Sequence, residues 1–200
     1  MSENIYNFSA GPATLPQSVI DHLKLAINDF SQGMSILEVS HRSRTFKDFA
    51  STSELTFRRL LNISDEYEVL FLQGGATHQF TMIPQNLTIN GPVDYLITGG
   101  WSKKAANYAQ QKIEVNIVSD SSENNYIDVD EQDSWSVNSD SDYFYYCANE
   151  TVHGVEIHNT IQVETPLVCD MSSTICTRPL DISEFDLIFA GAQKNLGIAG

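Results

Sequence analysis

The tract Gly191 to Gly200 reads GAQKNLGIAG, and its one charged residue, Lys194, has no other charge within five positions on either side. An isolated amine among small residues, directly after the apolar run FDLIFA, has room to meet a ligand. Four further features stand just after short apolar runs: Gly74-Gly75-Ala76-Thr77 after VLFLQ, Trp101 after YLITGG, Thr151 after YYCANE, and Asp170 after PLVC. Each has a plain structural reading. A Gly-Gly pair serves a strand-to-helix turn, a tryptophan closes a core edge, and an aspartate caps a turn.

Ligands of parallel α/β sheets gather outside the carboxyl ends of the strands. If these runs are such strands, one sheet edge collects a backbone cradle at a helix start, a flat aromatic, a hydroxyl, a carboxylate and an amine. The cradle suits phosphate, because free N–H groups and the helix dipole meet there. It lacks the spacing of a P-loop or a dinucleotide fingerprint. A ligand answering all five groups has a phosphate, an aromatic ring, a ring oxygen, a basic ring nitrogen and an aldehyde. Pyridoxal 5′-phosphate (PLP) is such a ligand. Lysine would bind its aldehyde covalently, and the carboxylate would keep the ring nitrogen protonated.

The elements that must position these groups follow from periodicity. TLPQSVIDHLKLAINDF sets Val19, Ile20, Leu23, Ile27 and Phe30 at helical spacing after Pro16, and Gly33 is expected to end that helix. TFKDFASTSELTFRRLLN gives a second amphipathic helix. Six runs then read as buried strands: YEVLFLQ, VDYLITG, KIEVNIVS, DYFYYCAN, TPLVCD and FDLIFAG. Helical stretches ATHQFTMIPQNL and WSKKAANYAQQK lie between the early ones. The alternation predicts an α/β domain with a mostly parallel sheet. The polar segment 119–142 reads as an exposed excursion around one short helix.

Composition narrows the partners. A formal charge of −15, from 26 acidic against 11 basic residues, opposes binding to nucleic acid or to an anionic membrane. No apolar run approaches the roughly 18–20 residues of a membrane-spanning helix. Three cysteines without a C-x-x-C pair argue against a zinc site and fit a reducing compartment. The start, MSENIYNFSAGP, has no basic or apolar leader region. A cytoplasmic protein is expected.

FSAGPATLP at the start, EVSHRS at 38–43, GGATHQF at 74–80, NET at 149–151, DMSST at 170–174 and GAQKNLGIAG at 191–200 together resemble the phosphoserine aminotransferase family. That family is the class V aminotransferase branch of the type I PLP fold. The resemblance runs through the whole chain in order. It implies the three-layer large domain of that fold, amino transfer from L-glutamate to 3-phosphohydroxypyruvate, and a homodimer. It implies Lys194 as the Schiff-base lysine, Asp170 at the pyridine nitrogen, Trp101 stacked on the ring and Thr151 at the ring oxygen. Gly75, Ala76, Thr77 and Gln193 would hold the cofactor phosphate, and His41 and Arg42 the acidic groups of the substrates. Some members carry arginine where this chain has Thr77, whose hydroxyl can still donate to phosphate. The family's chains continue well past the lysine. The expectation is therefore residues 1–15 joining a small domain, 16–200 an incomplete large domain, a C-terminal domain absent, and little turnover by the 200 residues alone. Alternatives are another class V enzyme, such as a serine–glyoxylate aminotransferase or a cysteine desulfurase, or an inactive PLP-binding fragment.

Overall fold

The computed structural model describes residues 5–198, so the last two residues of GAQKNLGIAG lie outside the described chain. The chain divides into two compact units. One is residues 1–71 with Pro179–Ile182, and the other is Leu72–Arg178 with residues 183–200.

The first unit carries two helices, α1 (Gln17–Asn28) and α2 (Arg44–Leu61). Helix α1 stops at Asn28, five residues short of Gly33. Gly33 instead occupies a tight turn with φ of 86°, closed by the Ser31–Met34 bridge. Phe30 thus leaves the helix, and its ring meets Phe49 of α2 edge-on at 5.2 Å. Ser43 caps α2, its hydroxyl accepting from the Phe46 N–H at 3.2 Å. Asn62 ends α2 in the left-handed region, where its short amide side chain is tolerated. Ser43→Ala should cost about 1 kcal/mol, the usual worth of such a cap, seen as a lower urea midpoint by far-ultraviolet circular dichroism.

The run YEVLFLQ is not a strand. Residues 67–73 are irregular, no strand among the described residues pairs with them, and Leu70 and Phe71 are 71% and 66% exposed. Apolar composition favours a strand only where a neighbour takes up its backbone N–H and C=O groups.

The second unit is a parallel α/β sheet. Its strands are β1 (Val93–Ile97), β2 (Val115–Asp120), β3 (Phe144–Cys147), β6 (Leu167–Asp170) and β7 (Leu187–Phe189), in the order β2-β1-β3-β6-β7, every pair parallel. A short antiparallel hairpin, β4 (Asn149–Glu150) and β5 (Val155–Glu156), follows β3 directly. Helices α3 (Gln79–Leu87) and α4 (Gly100–Ala109) pack on each other, and α4 packs on β1.

Strands β1, β3 and β6 are buried along their whole length, which is why they read as unbroken apolar runs. Their core holds stacked tyrosines, Tyr95 on Tyr145 at 4.6 Å, with the Tyr95 and Tyr143 hydroxyls hydrogen-bonded at 2.9 Å. Asp94, buried in β1, is satisfied by the Asn116 amide at 2.7 Å and the Asn138 N–H at 2.9 Å. The excursion between β2 and β3 holds two 3₁₀ turns (Ser121–Asn124, Gln132–Ser134) in place of one helix, and Trp135 returns to stack on Phe144 at 5.9 Å. No helix among the described residues is long and apolar enough to cross a membrane.

Strand order decides where a ligand fits. From β1 the chain goes outward to β2, then returns to lay β3 on the other side of β1. The connections leaving β1 and β3 therefore diverge, opening a crevice at their carboxyl ends.

Candidate active site

Trp101 and Thr151 flank that crevice. Trp101 opens α4 just after β1, and Thr151 lies at the tip of the β4–β5 hairpin just after β3. The indole Nε1–H of Trp101 donates to Thr151 Oγ1 at 3.1 Å. Gly154, with φ of +78°, supplies the left-handed residue that lets this short hairpin turn, and its N–H returns to the Glu150 carbonyl at 2.7 Å.

Lys194 arrives from two strands away. It sits in a turn after β7, closed by the Gly197 N–H on the Ala192 carbonyl at 2.8 Å. Its Nζ donates to Thr151 Oγ1 at 3.2 Å and stands 5.7 Å from the centre of the Trp101 ring. One hydroxyl thus accepts from both the indole and the amine. The side chain of Gln193 folds back over Gly191, where a Cβ would come within 2.7 Å of its Oε1. The Asn195 amide ties the turn to the Ile175 carbonyl at 2.8 Å.

Asp170 ends β6, buried, with the Ser172 N–H on its Oδ1 at 2.9 Å. Burial pushes its carboxyl above the usual carboxylate range; the Ser172 hydrogen bond and the charge of Lys194 pull the other way, and Glu150 adds to the rise. The strand ends are stitched together. Gly191 N–H donates to Ser172 Oγ at 3.0 Å, and the Asn149 amide donates to Ser173 Oγ at 3.1 Å.

The glycine pair precedes a 3₁₀ turn, Ala76–His78, that runs into α3. The N–H groups of Ala76 and Thr77 meet no acceptor among the described residues, and a Cβ at Gly75 would touch nothing within 4 Å. Helix α4 differs. Its first N–H groups are already taken, by His153 Nδ1 (from Gly100, 3.3 Å), Glu150 Oε2 (from Trp101, 2.8 Å) and Glu150 Oε1 (from Ser102, 2.7 Å). Of these two helix starts, only the one at Ala76–Thr77 has N–H groups without an acceptor among the described residues. With 67–73 forming no strand, the strand-end position expected for it is not seen, and no hydrogen bond among the described residues ties it to Trp101, Thr151 or Lys194.

The structure thus brings Trp101, Thr151 and Lys194 into mutual contact, with Asp170 close enough to Lys194 for their charges to act on each other. His41 and Arg42 belong to the first unit, in an exposed turn before α2, where the Arg42 N–H donates to Ser40 Oγ at 3.2 Å. Sequence reasoning gave Glu150 no role; a carboxylate directly after an apolar strand was the available signal. A cavity of about 270 Å³ between residues 161–167, Glu184 and Asp186 opens at the amino ends of β6 and β7, the opposite edge from this chemistry.

A parallel α/β sheet with a lysine, a buried aspartate and a hydroxyl–indole pair at its carboxyl edge has the groups needed to hold an aromatic aldehyde. The family model of class-V aminotransferases matches residues 5–200, and the chain belongs to that family. It is 46% identical over 199 residues to the phosphoserine aminotransferase of Vesicomyosocius okutanii, covering 98% of this chain and 55% of that protein. Among solved structures it is similar to phosphoserine aminotransferase from Bacillus circulans subsp. alkalophilus (37% identity, TM-score 0.94, 100% of this chain and 56% of that one). It is equally similar to the PLP-bound enzyme from Trichomonas vaginalis (38% identity, TM-score 0.94, 98% of this chain and 60% of that one). The chain spans about half the length of the curated relatives it matches.

Proposed function

We propose that this chain carries the cofactor half of a phosphoserine aminotransferase, which moves the amino group of L-glutamate to 3-phosphohydroxypyruvate with PLP. The observation that supports it most directly is the shared hydroxyl of Thr151, which presents the Lys194 amine over the Trp101 ring. The buried carboxyl of Asp170, raised by desolvation, calls for a cationic neighbour, which a protonated ring nitrogen provides. The free N–H groups of Ala76 and Thr77, with Gly75 beside them, suit a phosphate, and Gln193 lies next to the lysine on the same edge. When bound, PLP supplies an aldehyde that takes an amine and a ring that withdraws electrons.

In this reading Lys194 would hold the cofactor by its aldehyde, and its freed amine would serve as base and acid at the substrate Cα. Trp101 would lie against the ring, Thr151 would meet its oxygen, and Asp170 would hold its nitrogen protonated. His41 and Arg42 take the carboxylate and phosphate of the substrates, a task suited to a guanidinium fork. The proposal includes residues 1–15 as part of a smaller domain, 16–200 as part of the large one, a cytoplasmic setting and a homodimer.

The test is spectroscopic. PLP added to the chain should give a visible absorbance band that L-glutamate bleaches and 3-phosphohydroxypyruvate restores, both slowly, in keeping with the low turnover expected of these 200 residues alone. Bleaching by serine or cysteine in place of glutamate would point to another class V enzyme.

A further inference from the structure

The Glu150 side chain is fully buried, yet neither the substrate nor the cofactor reading uses it. Its two oxygens accept separately from the first turn of α4, Oε2 from the Trp101 N–H at 2.8 Å and Oε1 from the Ser102 N–H at 2.7 Å. A negative carboxylate at a helix N-terminus also meets the positive end of the helix dipole. The approach is close: a Cβ on Gly99 would sit 2.5 Å from both Glu150 Cγ and Cδ, so only glycine leaves space for it. The residue after Glu150 is Thr151, whose hydroxyl receives both the Trp101 indole and Lys194. The clip therefore joins the ends of β1 and β3 across the crevice, one residue from the site on each strand. Ser102 completes the joint, its hydroxyl accepting from the Thr98 and Gly99 N–H groups at 2.9 and 3.2 Å.

We infer that Glu150 is a positioning residue of the cofactor site: its carboxylate fixes the start of α4, and hence the Trp101 ring, against the Thr151 hydroxyl that also orients Lys194. The inference rests on the PLP reading above. Glu150→Gln keeps the shape but leaves one helix N–H facing an amide NH₂, removing one charge-assisted bond. Such a bond is worth a factor of about ten or more in binding. Gly99→Ala attacks the same contact from the other side, displacing Glu150 with its charge intact. Asp94→Asn, in another buried, hydrogen-bonded carboxylate away from the site, controls for plain loss of stability.

The experiment titrates the 200-residue chain and the three variants with PLP. Tryptophan fluorescence quenching gives the dissociation constant, and amide hydrogen exchange is followed at Trp101 and Ser102. Expected are a roughly tenfold weaker PLP affinity in Glu150→Gln, faster exchange confined to the first turn of α4, the same direction in Gly99→Ala, and unchanged affinity in Asp94→Asn. Should Glu150→Gln not fold, Gly99→Ala decides. Wild-type affinity with local exchange unchanged would overturn the inference, as would equal weakening by Asp94→Asn. Borohydride reduction of the wild-type chain with PLP separates the two readings. A pyridoxyl adduct on Lys194 upholds the cofactor reading whatever Glu150 does, and its absence removes the basis of both.

Discussion

Replacing Lys194 with alanine is expected to remove covalent attachment of PLP altogether. In wild type, borohydride reduction followed by peptide mapping should place a pyridoxyl group on Lys194, because its amine is held over the indole by a hydroxyl and no charged residue stands within five positions of it in sequence. In Lys194→Ala the band of the covalent adduct should vanish, and amino transfer from glutamate, followed as 2-oxoglutarate formed, should slow by about two to four decades, the usual scale for losing a general acid–base group. The fold should survive, since Lys194 is only half-buried and its side chain bonds only Thr151 among the described residues. Phosphate contacts at Ala76–Thr77 would still permit weak, non-covalent PLP binding. An adduct on Lys103 or Lys104 in the wild-type chain would overturn the assignment. Lys104 is the sharper control, because its Nζ also stands over Trp101, at 5.6 Å.

Asp170→Asn should separate stability from catalysis. Burial raises the Asp170 carboxyl above its ordinary value, so the folded state binds a proton more readily than the unfolded chain. Stability from this group is then full below the unfolded pKa and is lost as pH rises through the folded one. Above that range the native state carries an under-compensated buried charge, relieved in part by Lys194 and worsened by Glu150. Asparagine removes the charge. The variant without cofactor should melt at a higher temperature than wild type near neutral pH, and the gain should shrink as the solution is acidified through the carboxyl range. PLP should still bind. The glutamate half-reaction should slow by about two to three decades, the scale seen when one preorganised electrostatic partner is removed. Unchanged turnover would mean that another group holds the ring nitrogen. A pH-independent melting difference would mean that Asp170 carries no raised pKa.

These two outcomes rest on residues that sequence reasoning could reach. Lys194 stood out because small, neutral neighbours left it conspicuous, and Asp170 because it closed an apolar run. Five of the six proposed strands form, since buried parallel strands need apolar side chains on both faces and so leave unbroken runs. That signal is local. The sixth run, 67–73, carries the same signal and forms no strand, because pairing is a property of a neighbour rather than of the run itself. Gly33 misled in a similar way: a positive-φ glycine serves a tight turn as readily as a helix end.

Strand order was beyond the sequence. Nothing in periodicity says that β3 returns beside β1, yet that choice creates the crevice and brings residues 50 positions apart, Trp101 and Thr151, within one hydrogen bond. Nor could spacing show that Thr151 serves both the indole and Lys194, or that Glu150 takes the N–H groups of α4 and leaves those of Ala76 and Thr77 free. Side-chain types and apolar runs are written residue by residue, so the sequence alone determined the cast of groups and the strands that carry them. Which strand lies next to which depends on packing and backbone pairing between distant segments. Only the tertiary structure could decide that, and with it which of these groups meet.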